Sequence, residues 1–266
     1  MFRKTSADAS RTATLVLALA ISLLSIGFSQ AADLTVVTSG AFTAAFQQLA
    51  PQYEHARKNK INLQTGPSMG TTQFAIPMRL QRGEKIDVLI MASPSLSDLI
   101  KQGKVKEGSK VDLVQSKIAM AVKAGAPKPD IRTLDAFANA VRNAKSIAFS
   151  DSASGVYLST ELFPKLGIWD QIKDKSKQIP ADPVGEFVAR GDAEIGFQQV
   201  SELLPVKGIE IVGELPPGAQ RITIFAAGIP MAAPHPEEAK ALIQWLTSPA
   251  AITVIKKTGL EPVKSR

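Results

Sequence analysis

The 266 residues include no cysteine. Disulfide staples, thiolate metal sites and a cysteine nucleophile are therefore excluded. Histidine is almost as scarce, with only His55 and His235. A multi-histidine metal centre is excluded with it, and neither a metal nor a cofactor is expected. Aromatic residues make up 6%, and no dense Lys/Arg stripe is interleaved with them, so no nucleic-acid partner is expected. No G-x-S-x-G nucleophile elbow, H-E-x-x-H helix or P-loop is expected. No repeat of fixed period stands out, and no low-complexity tract follows the first 31 residues. What is present is a 45% share of hydrophobic residues, which excludes wholesale disorder.

The N-terminus reads as a targeting segment. Arg3, Lys4 and Arg11 precede a run from Leu15 to Phe28 that is apolar except for Ser22, Ser25 and Gly27. The run is shorter than the roughly 20 residues a membrane span needs. Ser29-Gln30-Ala31 then places small residues at both recognition positions of a signal peptidase. Cleavage is expected before Ala32, with export to a periplasm. Loss of Arg3, Lys4, Arg11 and Asp8 would lower the formal charge from +7 to about +5, a mild excess that helps attract small anions.

From Leu34 onward, short β-branched runs alternate with helical patterns. Leu34–Val37, Ile61–Gln64 and Asp87–Met91 read as strands, separated by the helical spacing of Phe42, Phe46, Leu49 and Tyr53 and by Met78–Gln81. This order implies a parallel sheet with helices on both faces. Ser95 or Ser97 would cap the helix through Leu99, and Thr133 the helix Leu134–Val141. Further strands are expected at Ile118–Val122, Ser146–Phe149, Glu194–Phe197, Ile209–Val212 and Arg221–Ala227. Further helices are expected through Tyr157, Leu162 and Leu166, at Val184–Arg190, through Ala239–Leu246 and at Pro249–Lys257, the last closed by Gly259. Two α/β units of roughly 100 residues fit one chain that crosses between them. The crossings fall near Ile118–Val122 and Arg221–Ala227. The expected division is 1–31 as signal, 32–119 with 225–266 as one lobe, and 120–224 as the other.

Three strand ends open into helices through small polar residues: Thr38-Ser39-Gly40-Ala41, Ser68-Met69-Gly70-Thr71-Thr72 and Ser150 to Gly155. Such loops let a ligand approach backbone N–H groups at helix starts, where the dipole favours an anion. They serve equally as ordinary N-capping loops. Arg79 and Arg82 could grip a carboxylate bidentately or form a solvated helix face. His55 and His235 read as surface residues, and Asp192 and Glu194 as solvated carboxylates.

Several stretches together resemble one family. They are Leu34-Thr35-Val36-Val37 with its small-residue loop, Asp87-Val88-Leu89-Ile90-Met91-Ala92, and Ser154-Gly155-Val156-Tyr157 followed by Lys165-Leu166-Gly167-Ile168-Trp169. Val188-Ala189-Arg190-Gly191-Asp192-Ala193-Glu194-Ile195-Gly196 and Pro249-Ala250-Ala251 to Lys257-Thr258-Gly259 complete the set. From about Leu34 to Gly259 the chain resembles a type II periplasmic solute-binding protein of the molybdate-binding family. The resemblance implies two α/β lobes, two hinge crossings, and closure on a small anion held by neutral donors for the membrane component of an ABC transporter.

By the same resemblance the ligand-binding residues are Ser39, Gly40 and Ala41; Ser68, Met69, Gly70 and Thr71; Ser154 and Gly155; a backbone donor near Ala181 to Val184, placed at Val184; and Gln198 and Gln199. The family's first-loop serine falls on Ala41 and its ligand-binding tyrosine on Gln199. Gln73-Phe74-Ala75-Ile76-Pro77 is an addition in the second loop. Gln198 and Gln199 supply acceptors as well as donors, which suits a small organic polycarboxylate better than a bare oxyanion. Molybdate or tungstate binding is the conventional alternative. The chain is also similar to the aconitate isomerases of the same fold, which move a proton allylically between the trans and cis acids. For that chemistry Lys117, Tyr157 and Glu186 are the candidate acid/base groups.

Overall fold

The computed structural model describes residues 32–180 and 182–263. The expected signal segment and its cleavage point lie outside these residues, as does Ala181. Among the described residues no helix is long and apolar enough to cross a membrane.

The first half opens with β1 (Asp33–Thr38), α1 (Gly40–Arg57), β2 (Lys60–Thr65), α2 (Ile76–Gln81), β3 (Val88–Ala92), α3 (Ser93–Lys101) and β4 (Val111–Ser116). β3 reads Val-Leu-Ile-Met-Ala and is buried throughout, because helices cover both faces of this central strand. α1 turns Phe42, Phe46, Leu49 and Tyr53 onto one side of the sheet. Ile76, Leu96 and Leu99 fill the other side.

A single residue, Lys117, separates β4 from β5 (Ile118–Lys123), which begins a second sheet. That half continues through α4 (Leu134–Asn143), β6 (Ile147–Ser150) and α5 (Ala153–Tyr157), which runs on as a π-turn over Leu158–Leu162 and a last helical turn at Phe163–Lys165. A short helical turn at Trp169–Ile172 precedes β7 (Ser176–Ile179). Then come α6 (Val184–Arg190), β8 (Ile195–Gln199), α7 (Val200–Leu203) and β9 (Ile209–Glu214). The chain returns to the first sheet as β10 (Thr223–Gly228) and ends with α8 (Pro236–Leu246), α9 (Pro249–Lys257) and the two-residue β11 (Glu261–Pro262). The sheet orders are β11-β4-β10-β3-β1-β2 and β7-β6-β8-β5-β9.

The sheets are mixed, where the pattern predicted parallel ones. β10 is antiparallel to β3 and β4, and β5 is antiparallel to β8 and β9. Each of these strands follows directly on a crossing. It enters its sheet from the side of the other half and so runs against its neighbours. The crossings themselves lie just ahead of the two strands, at Lys117 and in residues 215–222, because each strand pairs within one sheet only.

Local details also depart from the sequence reading. α3 begins at Ser93, so Ser95 and Ser97 lie inside it, and Pro94 occupies the first turn, where its missing N–H costs nothing. Ser97 instead donates its hydroxyl to the Ser93 carbonyl. His235 is half-buried: its backbone N–H and Nδ1 both face the Asp87 carboxylate, which also accepts from the Thr35 N–H at 2.8 Å. Thr133 does cap α4, accepting from the Ala136 N–H at 3.1 Å. Thr133→Ala is expected to cost about 1 kcal/mol, read as a lower urea midpoint with an unchanged m-value.

Candidate functional site

Gly40 after β1, Thr65 at the end of β2 and Ser150 at the end of β6 line a common cleft of about 530 Å³ between the two sheets. Its floor holds Gly40, Ser150, Gln198, Ser201 and Glu202, and Asp182, Glu186 and Lys207 stand exposed among its lining. Lys207 is the one cation in that lining. Against it stand the carboxylates of Asp151, Asp182, Glu186 and Glu202, so an anion here would depend on neutral donors and on the start of α1, an 18-residue helix.

The cap of that helix is incomplete. Ser39 stands at the N-cap with an extended backbone, yet its side chain makes no capping bond. Its Oγ is buried and has no hydrogen-bond partner, and the same holds for Ser201 Oγ. Buried hydroxyls left unpaired cost free energy unless a ligand or water satisfies them.

Glu202 comes from α7 and lies against the same helix start. A methyl group built on Gly40 would fall 1.9 Å from Glu202 Oε1, so any larger residue at position 40 would push the carboxyl out of this place. Gln198 Nε2 donates to Glu202 Oε1 at 2.9 Å. Gln198 Oε1 accepts the Val184 N–H, also at 2.9 Å. Burial pushes the Glu202 carboxyl up to about 7, against the pull of donors from the Gln199 backbone and the Gln198 side chain, and the Asp151 carboxylate adds to the rise. Glu202 can thus hold or release a proton near neutrality.

The structure places the residues expected from the sequence unevenly. Gly40 and Gln198 line the cleft, and Ser39 is buried next to it. Ala41 turns into the core of the first half. Ser68 Oγ is buried and accepts from the Ala92 N–H, while its own N–H donates to Ser152 Oγ at 3.2 Å. The loop of Met69, Gly70 and Thr71 therefore crosses to the second half, with Gly70 beside the Asp151 carbonyl, and does not line the cleft. Ser154 is turned onto Ser150 Oγ, and the Gly155 N–H also points to that oxygen. The Val184 N–H is already taken by Gln198. Gln199 is buried away from the cleft lining, its Nε2 donating to Thr223 Oγ1.

The other chemical candidates resolve as follows. Gly66-Pro67-Ser68-Met69-Gly70 spells G-x-S-x-G, but the Ser68 hydroxyl is committed to Ala92 and makes no nucleophile elbow. Arg79 is buried and held by Glu84, Gln64 and the Thr65 carbonyl. Arg82 pairs with the same Glu84. Neither is left to grip a ligand carboxylate. Lys117 lies outside the cleft, and the bonds and charges of Glu214 and Glu261 hold its pKa up. The Tyr157 hydroxyl donates to the Ala219 carbonyl, and burial raises its pKa. Glu186 does line the cleft. Sequence reasoning missed Glu202 and Ser201. Their signal was available: Gln199-Val200-Ser201 is a fourth strand end opening into a helix, with the carboxylate next in line.

Residues 34–261 match the model of a family described as bacterial extracellular solute-binding proteins. An aconitate isomerase from a Pseudomonas species is 48% identical over 233 residues, covering 88% of this chain and 89% of that protein. The molybdate-binding protein ModA of Azotobacter vinelandii is 28% identical over 255 residues, covering 92% and 96%. The solved Azotobacter vinelandii periplasmic molybdate-binding protein superposes with a TM-score of 0.68 at 21% identity, covering 88% of this chain and all of that one. This chain therefore belongs to the bacterial extracellular solute-binding protein family and carries the molybdate-binding-like, type II periplasmic binding fold.

Proposed function

We propose that the protein is an isomerase that interconverts trans- and cis-aconitate in the interlobe cleft. The observation that carries this reading is the 48% identity to an aconitate isomerase along 88% of the chain. The geometry supports it. The cleft has room for a six-carbon acid, donors at the start of α1 suit its carboxylates, and a carboxyl that titrates near neutrality lies on the floor. The protein is exported through its N-terminal segment to the periplasm. Its two lobes, one built on each sheet, close over the ligand.

A second reading is capture of a small organic anion for an ABC transporter. Family membership favours it, and the unpaired Ser39 and Ser201 hydroxyls are neutral donors of the kind such capture needs. One experiment separates the readings: thermal stability of the purified protein with molybdate, tungstate, sulfate, phosphate, citrate and each aconitate, followed by proton NMR of the aconitate samples. At a hundred times its Kd a ligand adds about 2.7 kcal/mol. Isomerisation predicts a rise of several degrees with either aconitate and conversion to the other isomer. A rise without conversion supports capture. A rise with molybdate or tungstate alone overturns the carboxylate reading.

A further inference from the structure

The cleft lining carries four carboxylates, and the isomerase reading leaves open which group moves the proton. Asp182 and Glu186 are exposed, where water screens and competes. Asp151 belongs to the loop after β6, and its charge bears on Glu202 and raises that group's proton affinity. Glu202 alone sits on the floor against the start of α1, in the space left by Gly40. Resting on the isomerase reading, we infer that Glu202 takes the allylic proton from the substrate and returns it, and that Gln198 positions Glu202 for this.

The step balances without any co-reactant. The Glu202 carboxylate accepts a proton from the methylene carbon of aconitate. The electron pair of that C–H bond spreads over the three-carbon allyl unit and into its carboxylates. Protonated Glu202 then delivers the proton to the former vinylic carbon. A new C–H bond forms there while the double bond moves to the other side of the central carbon, and Glu202 ends as it began. Two features favour the exchange. The group holds a proton near neutrality, as burial pushes it up to about 7. The positive end of α1 faces whichever partner carries the charge, first the carboxylate and then the substrate.

Gln198 is buried and acts through Glu202. Because its Oε1 accepts the Val184 N–H, the amide cannot flip, and Nε2 must face the carboxyl. It thereby joins the 182–184 segment, where Asp182 and Pro183 line the cleft, to the proton-carrying group.

The test compares purified wild type, Glu202→Gln, Glu202→Asp and Gln198→Leu for aconitate conversion across pH and for aconitate binding by calorimetry. Glu202→Gln is expected to lose about 10²–10⁴-fold in kcat while still binding. Glu202→Asp, which keeps the carboxyl, is expected to recover part of the loss, and it carries the test if the glutamine variant fails to fold. In wild type kcat should rise with pH through about 7. Gln198→Leu removes a donor to the charged form and should move that limb to higher pH by about one unit, which a merely structural role would not do. If wild type converts and Glu202→Gln stays within a few-fold, the assignment falls and the isomerase reading stands. If Glu202→Gln loses binding along with turnover, Glu202 holds the ligand and is not the proton carrier. An unmoved limb in Gln198→Leu overturns the positioning role. If wild type converts neither isomer, the isomerase reading falls and takes the assignment with it.

Discussion

Replacing Gly155 by alanine is expected to cost at least about 4 kcal/mol or to leave the protein insoluble. A methyl group at that position would lie 1.7 Å from the Ser150 carbonyl oxygen, 2.7 Å from its carbon and 2.8 Å from its nitrogen. All three atoms are backbone, so no rotamer change relieves the overlap, and close-packed surroundings give way only at high cost. The Ser150 hydroxyl would also lose its place, although the Ser152 and Gly155 N–H groups and the Ser154 hydroxyl all turn to it. Gly213→Ala is the matched control. Its new methyl group would meet only Ile131 Cδ1, at an ordinary 3.6 Å, and a change within about 1 kcal/mol is expected. Urea unfolding compares the two. Similar midpoints would mean that the 150–155 loop adapts and that Gly155 is no steric requirement.

Glu202→Gln is expected to stabilise the protein at pH 8 by up to about 3 kcal/mol and to leave it nearly unchanged at pH 4. The folded-state value is about 7 against 4.5 for a free glutamate, so the folded protein binds this proton more tightly than the unfolded chain does. Below 4.5 both states are protonated and the wild type has its full stability. Between 4.5 and 7 the unfolded chain gives up its proton first, and the wild type loses about 1.4 kcal/mol per pH unit. Above 7 the loss is complete. Glutamine stays neutral throughout, so the two Tm curves should diverge across that window. Parallel curves would show that folding does not perturb Glu202. A site that gives up stability so that one carboxyl can titrate near neutrality follows the usual opposition between stability and activity.

Most of the fold was legible because burial enforces periodicity. Phe42, Phe46, Leu49 and Tyr53 could only be one helix face, and the apolar run Val88–Ala92 only a covered strand. The boundaries at Val184–Arg190 and Pro249–Lys257 were readable for the same reason, helped by Pro249 at the first helical turn. The overlooked strands carry little such signal. In β7 only Ile179 is buried, and β4 interleaves Asp112 and Gln115 with its apolar residues. β7 is an edge strand and β4 is flanked on one side only by the two-residue β11, and such strands are held largely by backbone bonds, which any sequence can make.

The site was less legible. Small polar loops mark where a ligand can approach, and two of the three supply the cleft floor at Gly40 and Ser150. Their spacing does not tell which hydroxyl is spent inside the protein. Ser68 and Ser154 have partners within the fold, whereas the Ser39 and Ser201 hydroxyls have none. The sequence by itself determined the α/β class, the family and the strand ends where a ligand could sit, because these follow from local patterning and from matched stretches of chain. Only the tertiary structure decided that Glu202 lies against Gly40, 162 positions away in sequence. A carboxyl's proton affinity depends on what surrounds it in space, and neighbours that distant in the chain come together only when the two sheets pack across the cleft.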